Sequence, residues 1–249
     1  MALAYESPPV ISMVWPYWQR QAVADRSCEL LAKHYADLDL ELVVVDDGDP
    51  VPYRAPSGMP FPVRVVRLRR KSRPLNPCVP INAGVREARG DVIALSGPDM
   101  MHARGPILAQ MRDELADGPL KYVMAAAWHA AGRRWHCHST NRRSDSGDVG
   151  SILPPGFDYH FMSMMHRSLW DACGGFDEDY RDGCGYDDPD FVMRLHRAGA
   201  MPVFRDDLVV EHVRDGARAA WPAQGYTRNR ELFFSKWGAS NNGNDQRTA

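Results

Sequence analysis

No stretch of this sequence approaches the ~20 consecutive apolar residues that a membrane-spanning helix requires. The opening MALAYESPPV lacks the cationic segment and apolar core of a secretion signal. The expectation is a soluble, cytoplasmic protein with no transmembrane segment. Cysteine is scarce and odd in number, with five residues (28, 78, 137, 173 and 184) and no Cys-x-x-Cys spacing. That usage fits free thiols in a reducing compartment rather than a disulfide framework. His136-Cys137-His138 resembles part of a metal site, but no further ligands stand at zinc spacing. Gly-x-Gly-x-x-Gly is missing after the first apolar run; PYWQRQ stands there and cannot make the dinucleotide-binding turn of a dehydrogenase. The Gly-rich, Arg- and Lys-containing N-terminal loop of a sugar nucleotidyltransferase is missing too. A strong charge of one sign is also absent: 30 Lys and Arg against 32 Asp and Glu leave a net −2. This argues against a chain held to nucleic acid by bulk electrostatics.

What is present is ordinary for a globular chain, 44% hydrophobic and 25% charged over 249 residues. We expect one domain over residues 1–238 and a polar, disordered tail over 239–249. Apolar runs at 10–14, 42–45, 63–68 and 92–95 read as buried strands. Between and after them, helical spacing covers 19–35, 80–88 and 107–115, with Pro80 suited to a first turn. This alternation predicts an α/β fold with a mostly parallel central sheet flanked by helices. The second half is less regular. It reads as a strand at 122–128, a long polar loop at 132–156, a segment at 161–166 without an assigned type, strands near 203 and 209, and helices at 168–173, 189–198 and 226–237. Two basic runs, Arg64 to Arg73 and Arg133 to Arg143, read as solvated faces or as contacts for a diphosphate or polyanionic acceptor. Phe157, Tyr159, Phe161 and the methionines 162–165 read as core, as do Phe233 and Trp237.

Ligands of such sheets bind outside the carboxyl ends of the strands. Asp46-Asp47 and Asp99 fall at predicted strand ends, and Asp187-Asp188 with Asp190 open a predicted helix. Transfer of a sugar from a nucleotide diphosphate needs a group for the nucleotide, usually a divalent cation for the diphosphate, and a carboxylate to deprotonate the acceptor. Acids at separate strand and loop ends can supply these, although Asp is also common at loop starts for reasons of turn geometry.

The strings VISMVWPYWQR, ELVVVDDGD, INAGVREARGDVIALSGPDMMH and GGFDEDYRDGCGYDDPDFVMRLHRAGA occur in that order. Together with NRELFFSKWG they resemble the family-2 inverting glycosyltransferases, from about Val10 to Trp237. The resemblance implies the GT-A (nucleotide-diphospho-sugar transferase) fold. It places Pro16 and Tyr17 at the end of the first strand, with the aromatic against the nucleotide base. It also places a carboxylate of Asp46 or Asp47 on the base or ribose, Asn82 in a helix facing the nucleotide, and Arg73 near the diphosphate or base. Where the family carries Asp-x-Asp, this chain has Gly97-Pro98-Asp99. Asp99 would bind the metal, manganese or magnesium, as a weaker site than two carboxylates make. His102 would be an additional contact. His212 would complete the metal site, as in the galactosyl- and hexosaminyl-transferase branch. Asp188 matches the general base, with Asp187 touching the acceptor or orienting the loop.

The function implied is transfer of a hexose or N-acetylhexosamine from a nucleotide diphosphate sugar, UDP favoured, to an acceptor hydroxyl. The acceptor is a glycan, a lipid-linked sugar, a protein, a small molecule or a modified base in nucleic acid. The competing reading is a non-catalytic nucleotide-sugar or glycan-binding module with a decayed metal site.

Overall fold

A computed structural model describes residues 11–69, 75–129, 134–137, 152–154, 157, 162–213 and 223–238, with the backbone alone at 129 and 134–137. Arg73, the tail at 239–249, Tyr159, Phe161 and most of the polar stretch at 132–156 lie outside the described residues. In chain order the elements are β1 (Ile11–Tyr17), α1 (Gln21–His34), β2 (Leu40–Asp46), β3 (Val63–Arg67), α2 (Cys78–Glu87), β4 (Val92–Leu95) and β5 (Met100–Met101). Then follow α3 (Leu108–Leu115), β6 (Lys121–His129), β7 (Arg134–Cys137), β8 (Ser163–His166) and α4 (Arg167–Cys173). A short 3₁₀ helix (Glu178–Asp182), α5 (Asp187–Arg197), β9 (Met201–His212) and α6 (Ala223–Trp237) complete the described chain.

The strands form one nine-stranded sheet in the order β3-β2-β1-β4-β8-β6-β9-β5, with β7 paired to β6. Strands β1, β2, β3, β4, β6 and β9 run one way, while β5, β7 and β8 run the other. The α/β expectation stands, but the mostly parallel sheet is corrected to a mixed one. Helical crossovers join β1 to β2 and β3 to β4, and such crossovers are what make neighbours parallel. No described helix separates β6 from β7 or β8, and both return antiparallel. The expected strands at 203 and 209 are one strand: the β6–β9 register shifts between Ala125 and Ala126, opposite a bulge carrying Asp206 and Asp207. Arg134–Cys137, expected within a loop, is strand β7.

Pro16 does not stop β1, which runs on to Tyr17. The β4 ladder ends at Leu95 opposite Val14, so on that side no partner asks Pro16 for an N–H. Alternation along β1 and β2 divides the core between the two faces of the sheet. Ile11, Met13, Trp15, Leu42 and Val44 pack with α1 and α3, including Leu31 and Met111. Val14, Val43 and Val45 pack with α2, α4, α5 and α6, including Ile81, Trp170, Phe191 and Phe233. Helix α2 comes so close that a Cβ at Gly84 would lie 2.4 Å from Val14 Cγ1 and 2.9 Å from Val45 Cγ2. Cys28, Cys78, Cys173 and Cys184 are buried free thiols.

Candidate active site

The carboxyl edge of the parallel strands gathers most of the expected residues, in two groups and one supporting loop. The loop follows β2. Asp46 is fully buried and accepts hydrogen bonds from the N–H groups of Asp49 at 2.8 Å and Tyr53 at 3.1 Å. Arg67 Nη1 lies 3.4 Å from its Oδ2. Both Asp46 oxygens are therefore used to shape the loop. Asp47 donates its N–H to the Tyr17 carbonyl at 3.0 Å. The Tyr17 ring is 3% exposed and packs on Tyr53, with centroids 4.7 Å apart. Of the first basic run, Arg64 pairs with Glu41 at 3.5 Å and Arg67 with Asp46, so both are tied to the fold.

The first group is centred on Asp99. Beyond Leu95 the chain turns, with Met100 N–H donating to the Gly97 carbonyl at 3.0 Å. The pairing of Met100 with His212 then brings Asp99 to the end of β9. His212 Nε2 lies 3.5 Å from Asp99 Oδ2, and Arg20 Nη1 makes an ion pair with the same oxygen. Burial raises the Asp99 pKa, but the His212 hydrogen bond and the Arg20 charge outweigh it and hold the carboxyl down at about 2. A Cβ at Gly97 would meet Asp99 Oδ1 at 2.7 Å. The structure thus brings together Asp99 and His212, both expected at the metal, and adds Arg20, which no motif marks. As metal ligands, Asp99 and His212 make only two, and among the described residues no group of three or more His, Cys, Asp or Glu side chains is gathered for a metal. With a guanidinium on Oδ2, the arrangement does not fit a divalent ion as it stands.

The second group opens α5. Tyr186 is the cap residue without a side-chain capping bond, so Asp187 and Asp188 lie in the first turn and do not cap. Asp187 is 4% exposed and Asp188 is half-buried. Asn76, itself buried, donates from Nδ2 to Asp187 Oδ1 at 2.8 Å and accepts the Cys78 N–H on Oδ1 at 3.0 Å. The second bond fixes which end of the amide faces Asp187. Burial, then the charge of Asp188, pushes the Asp187 carboxyl far above the usual carboxylate range. Asn76 was missed in the sequence, although its Asn-Pro step before a helix is a turn signal. Asp190 serves the fold: it accepts from Trp237 Nε1 at 2.7 Å and Tyr180 Oη at 3.2 Å, and pairs with Arg194 at 2.9 Å.

Two expected contacts are engaged elsewhere. Asn82 lies inside α2 and bolts it to the loop after α4, donating to the Phe176 carbonyl at 2.8 Å and accepting the Phe176 N–H at 3.0 Å. His102 is fully buried, with Nδ1 2.5 Å from Tyr35 Oη, and burial lowers its pKa to about 3. Its ring stands edge-on to Tyr35, at the end of α1. Among the described residues, the non-glycine residues with positive φ are Gln19 (51°) and Tyr186 (64°), each one residue ahead of a group member, Arg20 and Asp187. Such conformations persist where surrounding contacts impose them, and they cluster at sites of function.

No protein-family model matches the chain, and no curated protein sequence does. Solved structures do match in fold. The mannosyltransferase PcManGT from Pyrobaculum calidifontis, in complex with GDP-Man and Mn2+, aligns over 92% of this chain and 70% of its own, with a TM-score of 0.57 at 14% identity. S. aureus TarS 1-349 in complex with UDP-GlcNAc aligns over 91% of this chain and 66% of its own, with a TM-score of 0.65 at 14% identity. The same fragment with UDP gives a TM-score of 0.63 at the same identity, over 91% of this chain and 64% of its own. The chain thus spans somewhat less than two thirds of that TarS fragment. The fold is the one these nucleotide-sugar glycosyltransferases share.

Proposed function

We propose that the chain is an inverting glycosyltransferase that moves a hexose or N-acetylhexosamine from a nucleotide diphosphate sugar, UDP favoured, to an acceptor hydroxyl. The observation that carries this reading is the carboxyl pair at the head of α5, fixed by Asn76 at the ligand-binding edge of a fold shared with such transferases. Asp187, buried and proton-holding, leaves the negative charge on half-buried Asp188. Asp188 then takes the acceptor proton as the acceptor oxygen bonds to the anomeric carbon and the bond to the diphosphate breaks. One displacement inverts the configuration. Asp187 positions that base. Asp47, Tyr17 and the Asp46 loop form the nucleotide side of the crevice, with Pro16 at its strand end and Asn82 supporting the helix behind it. Arg73 is retained as a diphosphate contact.

The test is Asp188→Asn. UDP release from UDP-hexoses, with water or added glycans as acceptor, should fall by about 10²–10⁴-fold, the usual contribution of a general base. Binding of UDP should stay nearly unchanged. Turnover retained in Asp188→Asn would move the base to another residue.

A further inference from the structure

Asp99 stands at the carboxyl edge with a cation of its own. Arg20 and His212 converge on one oxygen, Oδ2, and the backbone carbonyl of Asp99 is tied to Val213 N–H at 2.8 Å, so the residue is held at both ends. Arg20 is held too. It follows Gln19, whose left-handed backbone is pinned by its N–H on Asp49 Oδ2 at 2.5 Å. Asp49 in turn belongs to the loop shaped by Asp46. The ion pair is thus built by three segments: the ends of β1 and β2 and the turn after β4.

We propose that Arg20 stands in the place of a divalent cation at Asp99: with its guanidinium on Oδ2 and His212 beside it, the site as built does not accept a metal ion. A hard cation takes six or more oxygen ligands, and its entry here costs the guanidinium–carboxylate pair and brings two cations together. Gly97 belongs to the same device. A side chain at this position would press on Asp99 Oδ1 at 2.7 Å from its Cβ, so a carboxylate there would turn Asp99 away from Arg20. The glycine therefore removes one acid and at the same time makes room for the ion pair. The inference stands on the ion pair itself and uses the proposed function at no step.

The test measures Mn2+ alone, without nucleotide, titrated into the full chain by calorimetry and by the electron paramagnetic resonance signal of the free ion. Arg20→Gln should bind Mn2+ at least about tenfold more tightly than the parent, an increment that one ordinary charge-assisted contact can produce. The gain should vanish when Asp99→Asn is added. Arg20→Met, which removes the charge but keeps the side chain's length, should tighten binding equally, and it decides the matter if Arg20→Gln does not fold. Affinity unchanged or weakened in the folded variant, or a gain that survives Asp99→Asn, overturns the proposal. The transferase reading is tested apart from this, by UDP binding in chelator and by Asp188→Asn. Loss of that reading with the Mn2+ gain intact would leave the role of Arg20 standing.

Discussion

At the scale of single residues, the two carboxyls that open α5 differ in what surrounds them. Asp187 is faced by Asn76, Asp188, Asp190 and Tyr180, and burial with the Asp188 charge pushes its pKa from 3.8 up to about 8. The folded chain therefore keeps a proton that the unfolded chain releases. Because the folded value lies above the unfolded one, the stability linked to this proton is fully present below pH 3.8 and is lost as pH rises through about 8. Asp187→Asn has the same shape, still offers an oxygen to Asn76, and is neutral at every pH. Its melting temperature should exceed that of the parent at pH 8, by about 2–4 °C for each kcal/mol relieved in a chain of this size. The difference should close near pH 4, and calorimetry at the two pH values reads it. An offset equal at both would mean that Asp187 carries no extra proton. Transfer should survive this change, since Asp188 keeps its charge, whereas Asp188→Asn should lower it by about 10²–10⁴-fold.

At the scale of elements, helix α2 links the two faces of the problem: its head carries Asn76, its middle bolts to Phe176 through Asn82, and its Gly84 lies against Val14 and Val45. Gly84→Ala places a methyl group where two β-branched side chains already stand, and such overpacking costs about 1–3 kcal/mol. The urea midpoint should fall with the slope unchanged, and a midpoint equal to the parent's would show that α2 can lift freely. Much of this layer is legible in the sequence, because local signals decide it. Residues 92–95 read as a strand and are β4, and Pro80 marks the first turn of α2. The insertion of β8 between β4 and β6 is not legible, since it depends on pairings such as Ile93 with Met165 that no local pattern encodes. The acidic pair at 187–188 and the residues Asp99 and His212 stand out in the sequence because strings of residues resemble a known family. Arg20 and Asn76 do not, because each acts through one long-range contact, 79 and 111 residues away in sequence. The burial of His102 against Tyr35 is equally illegible, since it depends on a contact 67 residues away in sequence.

At the scale of the whole molecule, the carboxyl edge is assembled from parts that unfolding would scatter: Arg20 after β1, the Asp46 loop after β2, Asp99 after β4, His212 at the end of β9 and Asp187 at the head of α5. A ligand that touches several of them binds the folded chain and not the unfolded one, so its affinity is felt as global stability. UDP at a hundredfold excess over its dissociation constant should add ~2.7 kcal/mol. In a chain of this length that is a rise in melting temperature of about 5–10 °C. UDP and UDP-hexoses should each produce it, uridine should produce little because it lacks the diphosphate, and NAD should produce none because PYWQRQ cannot cradle a dinucleotide. A shift with GDP in place of UDP would keep the transferase reading and change the donor base. No shift with any nucleotide diphosphate would remove the donor from this edge. The proton on Asp187 would then serve the fold alone, and the non-catalytic reading of the chain would take its place.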